Sequence, residues 1–185
     1  PACCVSVLVV TDKGAGASGS GTIVAKKGDH RLVLTNRHVL EDAAEVYVIH
    51  AGKLVAGGKV TMSKTADDLG AFEVPIDLPI APLATKSALA GDEISHFGTT
   101  SGSATGTVVH YFSIKEPERE YRVMSCNKLL SVPGDSGAGI FNAKKELVAV
   151  NFGAVLPLKD TVALAVPLAS VKTFLKDFPQ WDFKP

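Results

Sequence analysis

The sequence predicts an all-β fold of barrel or sandwich type that ends in one short C-terminal helix. Three observations predict it. Short β-branched and apolar runs recur along the 185 residues, separated by Gly, Pro and polar turns, a rhythm that suits strands. Only residues 168–177 (LASVKTFLKD) carry apolar side chains at helical spacing, at Leu168, Val171, Phe174 and Leu175. A stretch holding Pro75, Pro79 and Pro82 interrupts the pattern at 75–91 and leaves similar strand content on either side, consistent with two small barrels.

Taken in order, residues 4–11 (CVSVLVVT) read as a strand buried on both faces. Residues 13–21 are rich in Gly, Ala and Ser and read as a loop; without a Gly-Lys-Ser/Thr ending it is not a phosphate cradle. A hairpin follows, with strands at 21–25 and 31–35 around Lys26-Lys27-Gly28-Asp29. At Asn36-Arg37-His38-Val39-Leu40 a strand gives way to a polar turn. Short strands are predicted at 45–50, 53–55 and 59–62, and Asp67-Asp68 precede an alternating strand reaching Val74. Residues 75–91 read as a linker between the halves. The second half repeats the style, with strands at 93–98, 106–114, 120–125, 139–142, 147–152 and 161–166 and no sequence repeat of fixed period.

Composition excludes several function classes. Lysine plus arginine equals aspartate plus glutamate at 19 each, so no net field draws the chain to nucleic acid or an anionic membrane, and neither is expected as a partner. No apolar stretch approaches the ~18 to 20 residues of a membrane span, and no basic region followed by an apolar run opens the chain. Beginning at Pro1, it reads as trimmed, excised from a precursor or expressed as a fragment. Cys3, Cys4 and Cys126 form an odd set rather than a disulfide framework. The adjacent pair does not suit a mutual bridge, a bridge from either to Cys126 stays open, and this usage favours a reducing compartment. With neither Cys-x-x-Cys nor a closely spaced His pair, no metal site is expected, and no cofactor.

The chemistry concentrates on Val132-Pro133-Gly134-Asp135-Ser136-Gly137-Ala138-Gly139. A serine between glycines on a tight turn offers an exposed hydroxyl and backbone N–H groups free to face a developing oxyanion. A serine hydroxyl is a weak nucleophile at neutral pH; it needs an imidazole to take its proton, and the imidazole needs a carboxylate to fix its tautomer. His38 and the Asp67-Asp68 pair lie upstream, in the order His, Asp, Ser.

Four segments in that order resemble the chymotrypsin-fold serine proteases: Thr35-Asn36-Arg37-His38-Val39-Leu40, Asp68-Leu69-Gly70-Ala71-Phe72-Glu73-Val74, Pro133-Gly134-Asp135-Ser136-Gly137, and Val150-Asn151-Phe152-Gly153. The resemblance implies two packed antiparallel six-stranded β-barrels with a short C-terminal helix. Residues 1–80 would carry His38 and Asp68, 81–167 would carry Ser136, and 168–185 would hold the helix and tail. It implies a serine endopeptidase with His38, Asp68 and Ser136 as triad, choosing Asp68 over Asp67. The N–H groups of Gly134 and Ser136 would form the oxyanion hole. A peptide or protein substrate would add as a strand along Asn151, Phe152 and Gly153, with Leu130 and Ser131 near the pocket floor and Val150 and Gly153 on its walls. No acidic residue stands at that floor, which points to a small or medium apolar P1 residue.

Thr-Asn-x-His-Val, Pro-Gly before the serine, Val150-Asn151 and Ala163-Leu164-Ala165-Val166-Pro167 lean toward the high-temperature-requirement (HtrA) branch. Asp135 departs from that branch, which usually has asparagine there. It matches digestive proteases, yet Pro1-Ala2-Cys3-Cys4 does not resemble the Ile-Val-Gly-Gly start that pairs with such an aspartate. Viral polyprotein and capsid proteases share Gly-Asp-Ser-Gly without that start, so a viral enzyme acting mainly in cis is an alternative, as is a catalytically silent binding module. Asp135 could instead be a structural carboxylate accepting backbone N–H bonds. His30, His50, His96 and His110 read as surface or strand-end residues. Trp181 and Phe183 read as packed on the barrel surface, with a tail returning to its own pocket as the sharper alternative.

Overall fold

The computed structural model describes residues 2–155 and 162–184. The first half forms β1 (Cys4–Thr11), β2 (Gly16–Lys27), β3 (His30–Thr35), the one-turn helix α1 (Arg37–Leu40), β4 (Ala43–His50), β5 (Lys53–Ala56), β6 (Gly58–Met62) and β7 (Gly70–Val74). The second half forms β8 (Glu93–Gly98), β9 (Gly102–Glu116), β10 (Arg119–Asn127), β11 (Gly139–Phe141), β12 (Leu147–Val155) and β13 (Val162–Pro167). Helix α2 (Leu168–Leu175) and β14 (Asp182–Phe183) complete the chain. Thr161, the predicted start of the last long strand, lies outside the described residues.

Strands β8 to β13 close into a six-stranded barrel in the order β10-β13-β12-β11-β8-β9. The first-half sheet runs β5-β4-β1-β2-β3-β7-β6, with β14 paired to β2. Its end strands, β5 and β6, are consecutive in sequence and joined through Gly57 alone, so the sheet must curl until its two edges meet at that covalent link. The all-β, two-barrel architecture with a terminal helix is therefore the fold of this chain.

Three expectations change in detail. Strand β1 is not buried on both faces: Val5, Val7 and Val9 are buried while Ser6, Leu8 and Val10 are half-covered. The Gly/Ala/Ser run read as a loop at 13–21 is strand from Gly16 onward. Small residues serve close approach there, because a Cβ on Gly21 would lie 2.6 Å from Val33 Cγ1 and 3.2 Å from Val7 Cγ2. The 106–114 and 120–125 strands are parts of a longer hairpin whose arms, β9 and β10, pair from Arg119↔Glu116 to Asn127↔Thr107.

One apolar core is shared by both halves. Val24, Leu32, Leu34, Leu69 and Ala71 of the first sheet pack with Phe141, Leu147, Val150 and Val166 of the barrel, and Val171, Phe174, Phe178 and Trp181 cover them. The proline-rich crossing is tied down where it passes: Ala81 N donates to Ile23 O and Leu147 N to Pro82 O, both at 2.8 Å. The tail runs along β2, with Asp182 opposite Lys26, Phe183 opposite Ala25, and Lys27 Nζ 4.7 Å above the Trp181 ring. It thus lies on the first sheet, as packing predicts, and not in the serine loop's cavity. All three cysteines are free thiols, and burial pushes the Cys126 thiol up to about 12. Among the described residues no helix is long and apolar enough to cross a membrane.

Candidate active site

His38 lies on α1, held at the end of β3 by its neighbours. Asn36 is fully buried and donates from Nδ2 to the Asp68 carbonyl at 2.8 Å. The Asp68 carboxylate grips the histidine twice: Oδ1 accepts the His38 backbone N–H at 2.9 Å, and Oδ2 lies 2.5 Å from His38 Nδ1. A carboxylate only accepts, so Nδ1 carries the proton and Nε2 keeps its lone pair. The Asp68 bond raises the His38 pKa above the ordinary imidazole value; burial opposes it, and the charges of Asp68 and Glu41 add to it. Asp67 faces elsewhere, accepting from Thr65 Oγ1 at 2.8 Å.

Ser136 sits on a turn whose flanking glycines, Gly134 and Gly137, have φ of +98° and +92°, a region that L side chains avoid. Asp135 is wholly buried and accepts four hydrogen bonds. Oδ1 takes the N–H groups of Thr100 and Ser101 at 3.0 and 2.9 Å; Oδ2 takes the Val132 N–H at 3.0 Å and the Ser101 hydroxyl. Burial alone would raise this carboxyl, but the bonds from Ser101, Val132 and Thr100 outweigh it and hold it below the usual range. Asp135 is thus a turn-holding carboxylate, served by the β8–β9 turn.

Strand β2 joins this loop to the histidine segment. Ser20 N donates to Ser136 O at 2.8 Å, and a Cβ on Gly19 would meet Val39 Cγ1 at 2.8 Å and Ser136 O at 3.2 Å. The residue after His38 and the serine backbone therefore converge on one point of one strand. Among the described residues the Ser136 hydroxyl and the N–H groups of Gly134 and Ser136 make no hydrogen bond to protein. A hydroxyl, a lone-pair nitrogen and two donors without a protein partner are the kinds of group that acyl transfer uses.

Beside the serine lies a cavity of about 420 Å³ lined by Ser131, Val132, Pro133, Ser136, Gly153 and Ala154. Its described lining carries no charged side chain. Ser131 and Gly153 are both in that lining. Asn151 is buried beneath, its Nδ2 donating to Ser131 Oγ at 2.8 Å and to Asp135 O at 3.3 Å. Two expected residues stand apart. Leu130 is 46% exposed and outside the lining, because its carbonyl is drawn inward to His96 Nε2 at 2.5 Å. Val150 is fully buried in the core shared by the halves, within a stretch of β12 in which Leu147 to Asn151 are all buried. Past Asn151, which bonds Gly137 and Ala138 at 2.8 and 2.9 Å, the β11 side of β12 has no strand partner among the described residues. Phe152 and Gly153 lie on that open edge, and Tyr121 of the β9–β10 hairpin packs on Phe152 with ring centroids 6.3 Å apart.

His96, read as a surface or strand-end residue, is buried within a strand: β8 alternates, placing Ile94, His96 and Gly98 inward. His30, His50 and His110 are exposed. The sequence reading missed Ser20, Thr99, Thr100 and Ser101. The one signal was a hydroxyl run, Thr99-Thr100-Ser101, directly after a strand ending in Gly98.

The model of the trypsin-like peptidase domain matches residues 19–150. A protein of Hahella chejuensis named probable periplasmic serine endoprotease DegP-like is 30% identical over 140 residues, covering 73% of this chain and 29% of that protein. HhoB of Synechocystis is 27% identical over 165 residues, covering 84% of this chain and 38% of its own length. The chain therefore spans about a third of the curated relatives it matches. The active form of the Rv3671c protease from M. tuberculosis superposes with a TM-score of 0.83 at 18% identity, over 100% of this chain and 83% of the other. With the matched model spanning both the histidine and the serine segments, the chain belongs to the trypsin-like peptidase domain family and has the chymotrypsin-type fold.

Proposed function

We propose that the protein is a serine endopeptidase in which Ser136 attacks the scissile carbonyl, His38 takes and returns the proton through Nε2, and Asp68 holds the imidazole. The N–H groups of Gly134 and Ser136 receive the oxyanion, and the substrate adds as a strand at Asn151, Phe152 and Gly153. The observation that carries the reading is the double grip of Asp68 on His38, at 2.9 Å to its N–H and 2.5 Å to Nδ1. It costs one residue both acceptor oxygens, and it leaves the imidazole in the single tautomer a general base requires. Ser136 Oγ makes no bond to the ring, an arrangement familiar in unliganded sites that tighten around substrate.

The P1 side chain is small or medium and apolar. The cavity of about 420 Å³ has Val132, Pro133 and Ala154 on its wall, and a basic P1 group buried there without a counter-charge would cost several kcal/mol. A peptide-library cleavage profile, run beside labelling with an organophosphonate fluoride, tests both statements. Labelling at Ser136 that vanishes in Ser136→Ala and His38→Ala is expected, with turnover down about 10⁴-fold or more. A folded protein that binds peptides yet neither labels nor cleaves them would overturn the reading, and cleavage confined to a fused precursor would assign it to cis processing.

A further inference from the structure

The two donors of the serine loop belong to peptide units whose carbonyls are separately held. A trans peptide is planar, with its C=O and N–H pointing in opposite directions, so whatever binds the carbonyl aims the N–H. The Gly134 N–H shares its plane with Pro133 O, which accepts the Thr100 hydroxyl at 2.7 Å. The Ser136 N–H shares its plane with Asp135 O, which accepts Ala138 N at 3.0 Å and Asn151 Nδ2 at 3.3 Å. The second unit is held from within its own loop and by a buried asparagine. The first is held by a side chain from the β8–β9 turn.

Gly134 makes that tether necessary. Its φ of +98° belongs to a region only glycine enters freely, and turning the Pro133–Gly134 peptide over would carry φ to the negative region, which is equally open to it. Backbone sterics therefore leave both orientations available, and hydrogen bonds must choose. The turn is itself anchored on both sides: Thr100 N and Ser101 N donate to Asp135, Thr99 Oγ1 donates to Gly19 O at 2.8 Å, and Thr99 N donates to Ser20 Oγ at 2.8 Å. Ser20 Oγ in turn lies 2.8 Å from Gly134 O.

We infer that Thr100 is a positioning residue for the oxyanion hole: its hydroxyl, fixed by the Asp135-anchored turn, turns the Pro133 carbonyl outward and thereby keeps the Gly134 N–H facing the reacting carbonyl. The inference rests on the peptidase reading above. In Thr100→Val the Pro133 carbonyl can find water in either orientation, so the bias is lost. Removing an oxyanion donor outright costs about 10²- to 10³-fold in kcat, and loss of the bias is expected to cost a part of that, roughly 10-fold or more, with KM changed less than about twofold. Affinity for a peptidyl trifluoromethyl ketone, whose hemiketal oxyanion needs the same donor, should fall in step with kcat, and Thr100→Ser should restore both. A purely structural role would lower thermal stability without that kcat-only signature.

The crystal structure of Thr100→Val decides the matter independently of turnover. A Pro133 carbonyl turned inward, or a 133–134 peptide split between two orientations, supports the inference; one unchanged orientation, or a kcat equal to that of the unmutated protein, overturns it. If the unmutated protein neither labels nor cleaves, the peptidase reading falls, while that crystal structure still judges the orientation claim.

Discussion

Asp68 and Asp135 show how two acidic residues of the same chain are put to different uses by their hydrogen-bond partners. Asp68 faces a titratable ring, so under the proposed mechanism its charge should appear in the acid limb of activity. His38 Nε2 must be unprotonated to act as base, and its pKa is raised by Asp68, so turnover should rise with pH through a midpoint above the ordinary imidazole value. Asp68→Asn should shift that titration, followed by NMR of the ring, downward, and lower kcat about 10⁴-fold. Asp135 faces only donors. Its carboxyl is held below the usual range, so it contributes stability that is present above the unfolded carboxyl's pKa and is lost as pH falls through the lower folded one. Asp135→Asn puts an amide NH₂ against N–H or O–H donors and should cost about 1–3 kcal/mol at neutral pH. Urea unfolding should show that difference shrinking in acid, below the ordinary carboxylate range.

At the scale of elements, β2 is the meeting place. It pairs with β1, β3 and β14, and it also takes bonds from the second half: Ser20 N to Ser136 O at 2.8 Å, and Gly139 N to Thr22 Oγ1 at 3.1 Å. So many neighbours leave no room for side chains at Gly19 and Gly21. Gly21→Ala, with Val33 Cγ1 2.6 Å from the new methyl, should overpack the sheet and cost about 1–3 kcal/mol, seen as a lower midpoint in thermal unfolding. Because Ser20 adjoins this site, the same variant should also slow labelling of Ser136. A glycine-rich run reads as a loop when only local flexibility is weighed; here smallness answers crowding from strands far away in sequence.

At the scale of the molecule, the halves are joined by one core rather than by a hinge. Trp181 is 8% and Phe174 4% exposed, both packed in the cluster that draws residues from both sheets. Phe174→Ala or Trp181→Ala should therefore cost about 3–5 kcal/mol and loosen the halves together. Calorimetry of the unmutated chain should give a single transition, since unfolding either half exposes the apolar face of the other.

How much of this was legible beforehand follows from the range of the forces involved. Strand alternation, the helical spacing of Leu168 to Leu175, the turn chemistry of Gly134 to Gly137 and the types His38, Asp68 and Ser136 are local, because propensity, periodicity and dihedral preference act over a few residues. His96 under Leu130, Thr100 against Pro133, Ser20 against Gly134 and Trp181 over the first sheet are encounters between residues distant in the chain. No local rule ranks such pairs, since each forms only after the sheets have curled and docked. The sequence thus settled the architecture and the residue types proposed to react, while folding in three dimensions settled which hydroxyls, carbonyls and carboxylates face one another, because hydrogen bonds of about 3 Å are decided by distance in space and not along the chain.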